Sequence, residues 1–205
     1  MQFFTGALAV ATISVAFEVP TASANSDPLS VPYATNWEDP DAITTDNNWS
    51  AVPGVIGYRG DDLTALLDTD PANVLADGAA TPQSVLANRT NPAGLSTGGI
   101  AEFDETTFTM IALQASGTAD APHVVFRFTT VGAGTLTFSY QLHDWDSSSD
   151  NAIQPVALQY RVGGTGNWAN VPGGYTPDAT LGPNVAGVMT PVIVNLPADA
   201  ENVPL

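Results

Sequence analysis

The sequence predicts an all-β fold with little helix, arranged as an antiparallel β-sandwich or a jelly-roll-like module. Short runs rich in β-branched and aromatic residues alternate with clusters of Gly, Pro, Asn and Asp. Two runs, 136–142 and 156–162, alternate apolar and polar residues with a period of two, which is typical of half-buried strands. No long run shows helical periodicity. At least five strands in succession therefore favour a sandwich over a helical or mixed fold.

The first element is a predicted export signal. "MQFFTGALAVATISVAF" is largely apolar, and Ala22-Ser23-Ala24 forms a small-x-small cleavage site, so residues 1–24 are assigned as a signal peptide and Asn25 begins the mature chain. No Lys or Arg precedes the apolar run, which leaves a buried first strand as the alternative. The run is too short and too interrupted by Thr and Ser for a membrane span. We expect a secreted bacterial protein with no membrane attachment after cleavage.

Residues 25–205 are expected to form one domain, because this length suits a single core. Residues 25–48 have the composition of a loop, and Val52–Tyr58 is a short apolar strand broken by glycine. "LTALLDTDPANVL" predicts one helical turn that ends before Pro71. Strands are predicted at Thr107–Gln114 and His123–Val131.

Two alternating strands follow, and their faces can be assigned from the period of two. The side chains predicted to point inward are Leu136, Phe138, Tyr140 and Leu142 on the first strand, and Val156, Leu158, Tyr160 and Val162 on the second. The intervening "HDWDSSSDNAIQP" is predicted to be a hairpin connection. "GGTGNW" makes the next turn, and Pro191–Pro197 is the last predicted strand.

The charge balance limits the partners. The chain has 21 acidic residues, four arginines and no lysine, for a net charge of −17. Such a surface repels nucleic-acid phosphates and anionic membranes, so neither is expected to bind this chain directly. The absence of cysteine excludes disulfides and thiolate metal sites.

Calcium is the cofactor that the acidic loops favour, because it prefers six to eight oxygen ligands. The predicted ligands are Asp144, Asp146, Asp150 and Asn151 in one loop, and Asp61 and Asp62 in another. Neither loop has the spacing of a helix–loop–helix calcium site. The alternative is that these side chains only satisfy backbone groups of turns.

Two tryptophans, Trp145 and Trp168, are candidates for stacking against sugar rings, which would make a glycan or cell-surface ligand the partner. Packing in the core or at its rim is the alternative for every tryptophan in the chain.

No catalytic set is apparent, and the chain is predicted not to be an enzyme. His143, Asp144 and the serines after them are adjacent on the chain, and neighbouring residues of a strand point to opposite faces. Phosphoester hydrolysis needs clustered carboxylates together with histidine or lysine and Mg²⁺, and no such cluster is apparent in the sequence.

Several segments resemble one family of bacterial secreted modules. They are "NWSAVPGVIGYRGDDLT", "GGIAEFDE", "IALQASGTADAPHVVFRF", "SYQLHDWDSSSDNAIQPVALQYRVGGTGNW" and "PDATLGPNVAGVMTPVIVNLPADAEN". The resemblance runs from about Trp37 to Asn202. Modules of this family lie near the N-terminus of large extracellular proteins, some of which carry an endonuclease/exonuclease/phosphatase-type domain or a lamin-tail-like domain further on.

The resemblance implies a secreted, non-catalytic module for binding or spacing. Because the family pattern continues past "ADAEN" into another strand, the domain is expected to lack its last strand and to continue into covalently linked downstream domains. The alternative functions are an N-terminal accessory fragment of a secreted nuclease or phosphatase, and a carbohydrate-binding module.

Overall fold

The computed structural model describes residues 23–61, 63, 69–77, 82–91, 97–104, 109–144, 153–180, 183–185 and 187–204. Strands are the main regular elements among these residues, and the helices among them are two three-residue 3₁₀ turns, Pro71–Asn73 and Ala198–Ala200. The predicted all-β class is confirmed. No helix in the described part of the chain has the length and apolar character needed to cross a membrane.

The described residues form twelve strands. They are β1 (Ser23–Ala24), β2 (Leu29–Ser30), β3 (Asn48–Trp49), β4 (Val55–Tyr58), β5 (Gly99–Phe103), β6 (Met110–Gln114), β7 (His123–Phe126), β8 (Phe128–Thr129), β9 (Thr137–His143), β10 (Val156–Tyr160), β11 (Ala169–Thr176) and β12 (Met189–Asn195). Four pairs are antiparallel: β4 with β7, β5 with β6, β9 with β12, and β10 with β11. The two-residue strands form parallel pairs, β1 with β3 and β2 with β8.

Most of the predicted signal peptide, residues 1–24, lies outside the described residues. Its last two residues form β1 beside β3. Asn25, the predicted first residue of the mature chain, is held independently of β1, because its carbonyl accepts a hydrogen bond from Gly54 N at 3.0 Å. The predicted helical turn before Pro71 also falls largely outside the described residues.

The N-terminal half of the domain is held together by residues 82–89, which run from the edge of β4 to the edge of β5. Ser84 N donates to Gly57 O at 3.0 Å, and Leu86 N donates to Ile100 O at 2.9 Å. Trp49 lies fully buried beneath this segment, and its indole N–H donates to Ser84 O at 3.2 Å. Gly57 lies so close to Trp49 that a Cβ there would be 2.5 Å from the indole. This packing fixes β4 and β5 around one apolar cluster.

The C-terminal half is a small two-layer sandwich that the sequence predicted in part. Phe138, Tyr140 and Leu142 of β9 pack with Leu158 and Tyr160 of β10 around buried valines of β11 and β12. The inward faces assigned to these residues are confirmed. The inward assignment of Val162 is wrong, because this residue lies past the end of β10 and is 42% exposed.

The predicted hairpin between β9 and β10 is also wrong. β9 pairs with β12 over its full length, from Thr137 opposite Asn195 to His143 opposite Met189, and β10 pairs with β11. The chain therefore crosses from one layer to the other between these strands. A period of two shows which face of a strand is buried, but it does not show which strand lies beside it.

A chain of aromatic rings connects the two halves. Phe126 and Phe128 stack with centroids 6.3 Å apart, and Phe138 of the C-terminal sandwich meets them at 5.9 and 6.4 Å. On the other side, Phe126 lies 6.5 Å from Trp37, which contacts Trp49 edge-on. Edge-on and offset contacts of this kind stabilise aromatic pairs beyond the area that they bury.

The end of the described chain is tied to the same region. Thr130 is buried, its hydroxyl donates to Ala200 O at 2.7 Å, and Val203 N donates back to that hydroxyl at 2.9 Å. Because a hydroxyl can donate and accept at once, this one side chain anchors both ends of the 200–203 segment.

Candidate binding face

The first predicted calcium loop is described only at its start. Asp144 follows β9 directly and is 3% exposed. Its N–H donates to Val188 O at 2.9 Å, and its carbonyl accepts from Gly187 N at 2.7 Å. The other predicted residues of this loop, Trp145, Asp146, Asp150 and Asn151, lie outside the described residues. The calcium site of this loop stays a prediction.

The second predicted loop is described at Asp61, whereas Asp62 lies outside the described residues. Both carboxylate oxygens of Asp61 accept hydrogen bonds from the Arg59 guanidinium, with Nε 2.6 Å from Oδ1. This hydrogen bonding lowers the pKa of Asp61, and burial opposes the change. The negative charge of Asp61 is therefore already balanced by the Arg59 guanidinium. Within the described part of the chain, no three His, Asp or Glu side chains are grouped to hold a metal ion.

Trp168 is the predicted ligand-binding residue whose surroundings are best defined. It precedes β11 and is half-buried against residues 69–77, which we call the strap. Its indole N–H donates to Asp77 Oδ1 at 2.7 Å, and its backbone N–H donates to Leu75 O at 2.7 Å. The Arg161 guanidinium lies 4.2 Å from the ring centroid. One face and the polar edge of the indole are thus engaged within the protein.

Asp77 joins Trp168 and Arg161 through its two carboxylate oxygens. Arg161 Nη1 donates to Asp77 Oδ2 at 2.6 Å, so Asp77 accepts from both side chains at once. Burial alone would raise the pKa of Asp77, but the hydrogen bonds from Arg161 and Trp168 outweigh it and lower the pKa. The carboxylate is therefore held in its charged form.

The rest of the strap meets the outward face of β10 and β11. Gln159 Nε2 donates to Pro71 O at 3.1 Å, and Asn170 Nδ2 donates to Ala72 O at 2.8 Å. The Tyr175 hydroxyl donates to Asp70 Oδ2 at 2.8 Å. We call the side chains of Gln159, Arg161, Trp168, Asn170 and Tyr175 the donor face.

Strand register and local sequence position the side chains on both sides of this contact. Gln159 and Asn170 are opposite each other in the β10–β11 register, and Gln159 Nε2 also donates to Asn170 Oδ1 at 3.1 Å. In the strap, Asp70 begins the 3₁₀ turn, with its side chain accepting from Ala72 N at 2.8 Å, and Pro71 fits the first position of the turn. The outward positions of Gln159 and Arg161 follow from the period of two, but the strap contact was not predicted.

A second cluster that the sequence reasoning missed surrounds Glu102 in β5. Glu102 is 1% exposed, and its Oε2 accepts from Asn88 N at 2.9 Å. The Asn88 amide, oriented with its nitrogen towards the carboxylates, donates to Asp104 Oδ2 at 2.7 Å. Burial raises the pKa of Glu102 to about 7; the hydrogen bond from Asn88 opposes this, and the charges of Asp104 and Asp39 add to it. An acid within the otherwise apolar run "GIAEF" is the signal that could have found this residue.

The described histidine with the clearest environment has a structural setting. His123 begins β7, its ring stacks on Tyr58 with centroids 5.3 Å apart, and its Nδ1 lies 2.8 Å from Ala121 O. Burial lowers the pKa of this imidazole. These contacts are those of a side chain that packs at the start of a strand and stabilises the fold.

The chain was also compared with known proteins. No protein-family model matches it, and neither a curated protein nor a solved structure does. The resemblance to a family of secreted modules therefore stays a proposal.

Proposed function

We propose that this chain is a secreted, non-catalytic β-module that serves for binding or spacing within an extracellular protein. The observation that carries this proposal is the contact between the strap and the donor face. It joins side chains 84 to 105 residues apart in the sequence, from the Arg161–Asp77 pair to the Tyr175–Asp70 pair. These contacts place a segment of the N-terminal half against the C-terminal half.

The distribution of charge supports the same role. Three of the four arginines form ion pairs with nearby aspartates: Arg59 with Asp61, Arg89 with Asp46, and Arg161 with Asp77. Much of the positive charge is thus used to hold loops in place, and the remaining surface is strongly acidic. An acidic surface keeps a secreted module soluble and favours divalent cations over nucleic acids or anionic membranes.

Calcium binding is the finer part of the proposal. Asp144 is placed by backbone hydrogen bonds at the entrance to the loop that carries the other predicted ligands. A backbone position already fixed by the fold needs less ordering when an ion binds, and preorganisation of this kind raises affinity.

The calcium arm is tested by calorimetric titration of Ca²⁺ into the mature chain, residues 25–205. Binding should be lost in Asp144→Asn and retained in Asp41→Asn, which removes the same charge from an exposed loop. A glycan array on the same protein tests the sugar alternative, with Trp168→Ala as its control. If neither titration nor array gives a signal, binding by these loops is refuted and spacing remains.

The spacing arm is tested by pulling single molecules from their two ends. One unfolding event for the whole domain is expected, because the contacts of Phe126 and Phe128 with Phe138 join the two halves. Two separate events at different forces in the wild-type chain would contradict it. Turnover of a nuclease or phosphatase substrate by the purified chain, lost on His143→Ala, would overturn the non-catalytic assignment.

A further inference from the structure

All described hydrogen bonds between the strap and the donor face have the same polarity. The contact has six hydrogen bonds, and in all of them the donor belongs to the β10–β11 hairpin or the residues beside it and the acceptor to the strap. The acceptors are carbonyls of Pro71, Ala72 and Leu75 and carboxylates of Asp70 and Asp77. The donor face is therefore complementary to an extended chain rich in acceptors, with acidic side chains towards its ends.

The strap has the features of an occupant that can leave. None of the residues of its 3₁₀ turn is buried, and the side chain of Asp77 is 58% exposed. Most of these hydrogen bonds lie at the surface, where water competes for each of them and the net gain is small, although the side chain of Arg161 is only 13% exposed. Segments with few buried apolar contacts are the ones that open most readily while the rest of a domain stays folded.

We propose that the donor face is a binding site for an extended acidic peptide segment of a partner protein, and that the strap occupies this site until such a segment displaces it. A carboxylate of the partner lies between Arg161 and Trp168, where Asp77 lies now. Backbone carbonyls accept from Gln159 and Asn170, and a second acid reaches Tyr175. This inference rests on the proposed function, since it identifies the surface and partner of its binding arm.

Tethering gives the strap an advantage over a free peptide. A segment joined by a short connection acts at an effective concentration in the millimolar range, so the wild-type chain binds a free peptide weakly. Weakening the strap raises the fraction of open molecules, and the apparent affinity rises with that fraction, by about tenfold or more. The net charge of −17 does not prevent this, because physiological salt screens charges beyond about 8 Å and the local donors decide.

The experiment uses the mature chain and a synthetic peptide with the sequence of residues 69–77, TDPANVLAD. The strap is weakened by the double substitution Asp70→Asn and Asp77→Asn, and peptide binding is measured by calorimetry. We expect this variant to bind about tenfold more tightly than the wild-type chain. The matched control, Asp27→Asn with Asp41→Asn, removes two exposed charges elsewhere and should behave as the wild type. A peptide with both aspartates changed to asparagine should bind neither protein.

The site is checked in the weakened background by adding Gln159→Ala and Asn170→Ala, which should abolish the gain. Hydrogen exchange at the Trp168 amide, which donates to Leu75 O, reports whether the strap has opened. A double variant with rapid exchange at Trp168 and no peptide binding would overturn the inference. Binding of an oligogalacturonate in place of the peptide would also overturn it, because the partner would then be an acidic glycan.

If the double variant does not fold, the wild-type chain still gives an answer. Millimolar peptide should shift the NMR signal of the Trp168 indole N–H, and the absence of any shift would refute the site. Failure of peptide binding leaves the single unfolding event of the spacing arm untouched. The two proposals can therefore fail separately.

Discussion

Replacing Glu102 by glutamine should make the protein more stable at neutral and alkaline pH and should remove part of its pH dependence. Glu102 is 1% exposed in a strand whose residues are all buried, and its pKa is about 7, against an ordinary value of 4.5. Glutamine has almost the same shape and carries no charge. Its oxygen can still accept from Asn88 N.

The size of the effect follows from the pKa. The difference between 4.5 and about 7 corresponds to about 3 kcal/mol of folding free energy. Below pH 4.5 the folded and the unfolded chain both hold the proton, and the full stability is present. As the pH rises towards 7, only the unfolded chain releases the proton, so the folded state loses stability. Above pH 7 the loss is complete, and Glu102→Gln should exceed the wild type by up to about 3 kcal/mol.

The assay is urea unfolding at pH 4, 5.5, 7 and 8, followed by the tryptophan fluorescence of the chain, to which the buried Trp49 contributes. The two proteins should be nearly equal at pH 4 and should diverge steadily up to pH 8. Glu38→Gln, which removes an exposed carboxylate, is the matched control and should follow the wild type. Parallel pH curves for wild type and Glu102→Gln would refute the reasoning, because Glu102 would then titrate alike in the folded and unfolded chains.

Three further predictions test the packing and the strap. Gly57→Ala should cost about 1–3 kcal/mol in urea unfolding, because its methyl group would collide with a buried indole, whereas Gly134→Ala, which meets open space, should be almost neutral. Asp77→Asn should cost about 1 kcal/mol in urea unfolding and should speed hydrogen exchange of the Trp168 amide. The control Asp41→Asn should leave both the stability and the exchange rate unchanged. Equal exchange rates in the two variants would mean that Asp77 does not hold the strap. Thr130→Val should cost about 1–3 kcal/mol and should speed hydrogen exchange of the Val203 amide, which loses its acceptor. Unchanged protection of the Val203 amide would contradict the anchoring role of Thr130.

The strands could be predicted from the sequence where one face is buried and the other is exposed. In β9, Phe138 and Tyr140 are half-buried and Ser139 and Gln141 are exposed, as the alternation requires. Pairing could not be predicted, because alternation carries no information about neighbours. The 12 residues 144–155 are long enough to cross between layers, so β9 pairs with β12 and not with β10.

The strap contact could not be predicted for a different reason. Gln159, Asn170 and Tyr175 have the character of ordinary surface residues, and Asp70 has that of a turn residue. Only the fold brings them together from positions 88 to 105 residues apart. Trp168 was identified as a candidate from its residue type, and the structure adds that Asp77 and Arg161 already engage it. Chemistry that arises from long-range contacts is visible in the sequence only as isolated polar residues.

Opposite pH effects within the same chain lead to a final prediction, a stability maximum at mildly acidic pH. Hydrogen bonds lower the pKa of Asp61 and Asp77 below the ordinary 3.8, so their contribution is present above that value and is lost as the pH falls through their folded pKa values. Glu102 acts in the other direction between 4.5 and about 7, and repulsion among the many carboxylates adds to that loss as they ionise. Unfolding free energy measured from pH 3 to 9 should therefore peak between these ranges, near pH 4 to 5. Glu102→Gln should flatten only the alkaline side and Asp77→Asn only the acidic side, and a curve that rises steadily to pH 8 would show that the buried acid does not govern the stability of this fold.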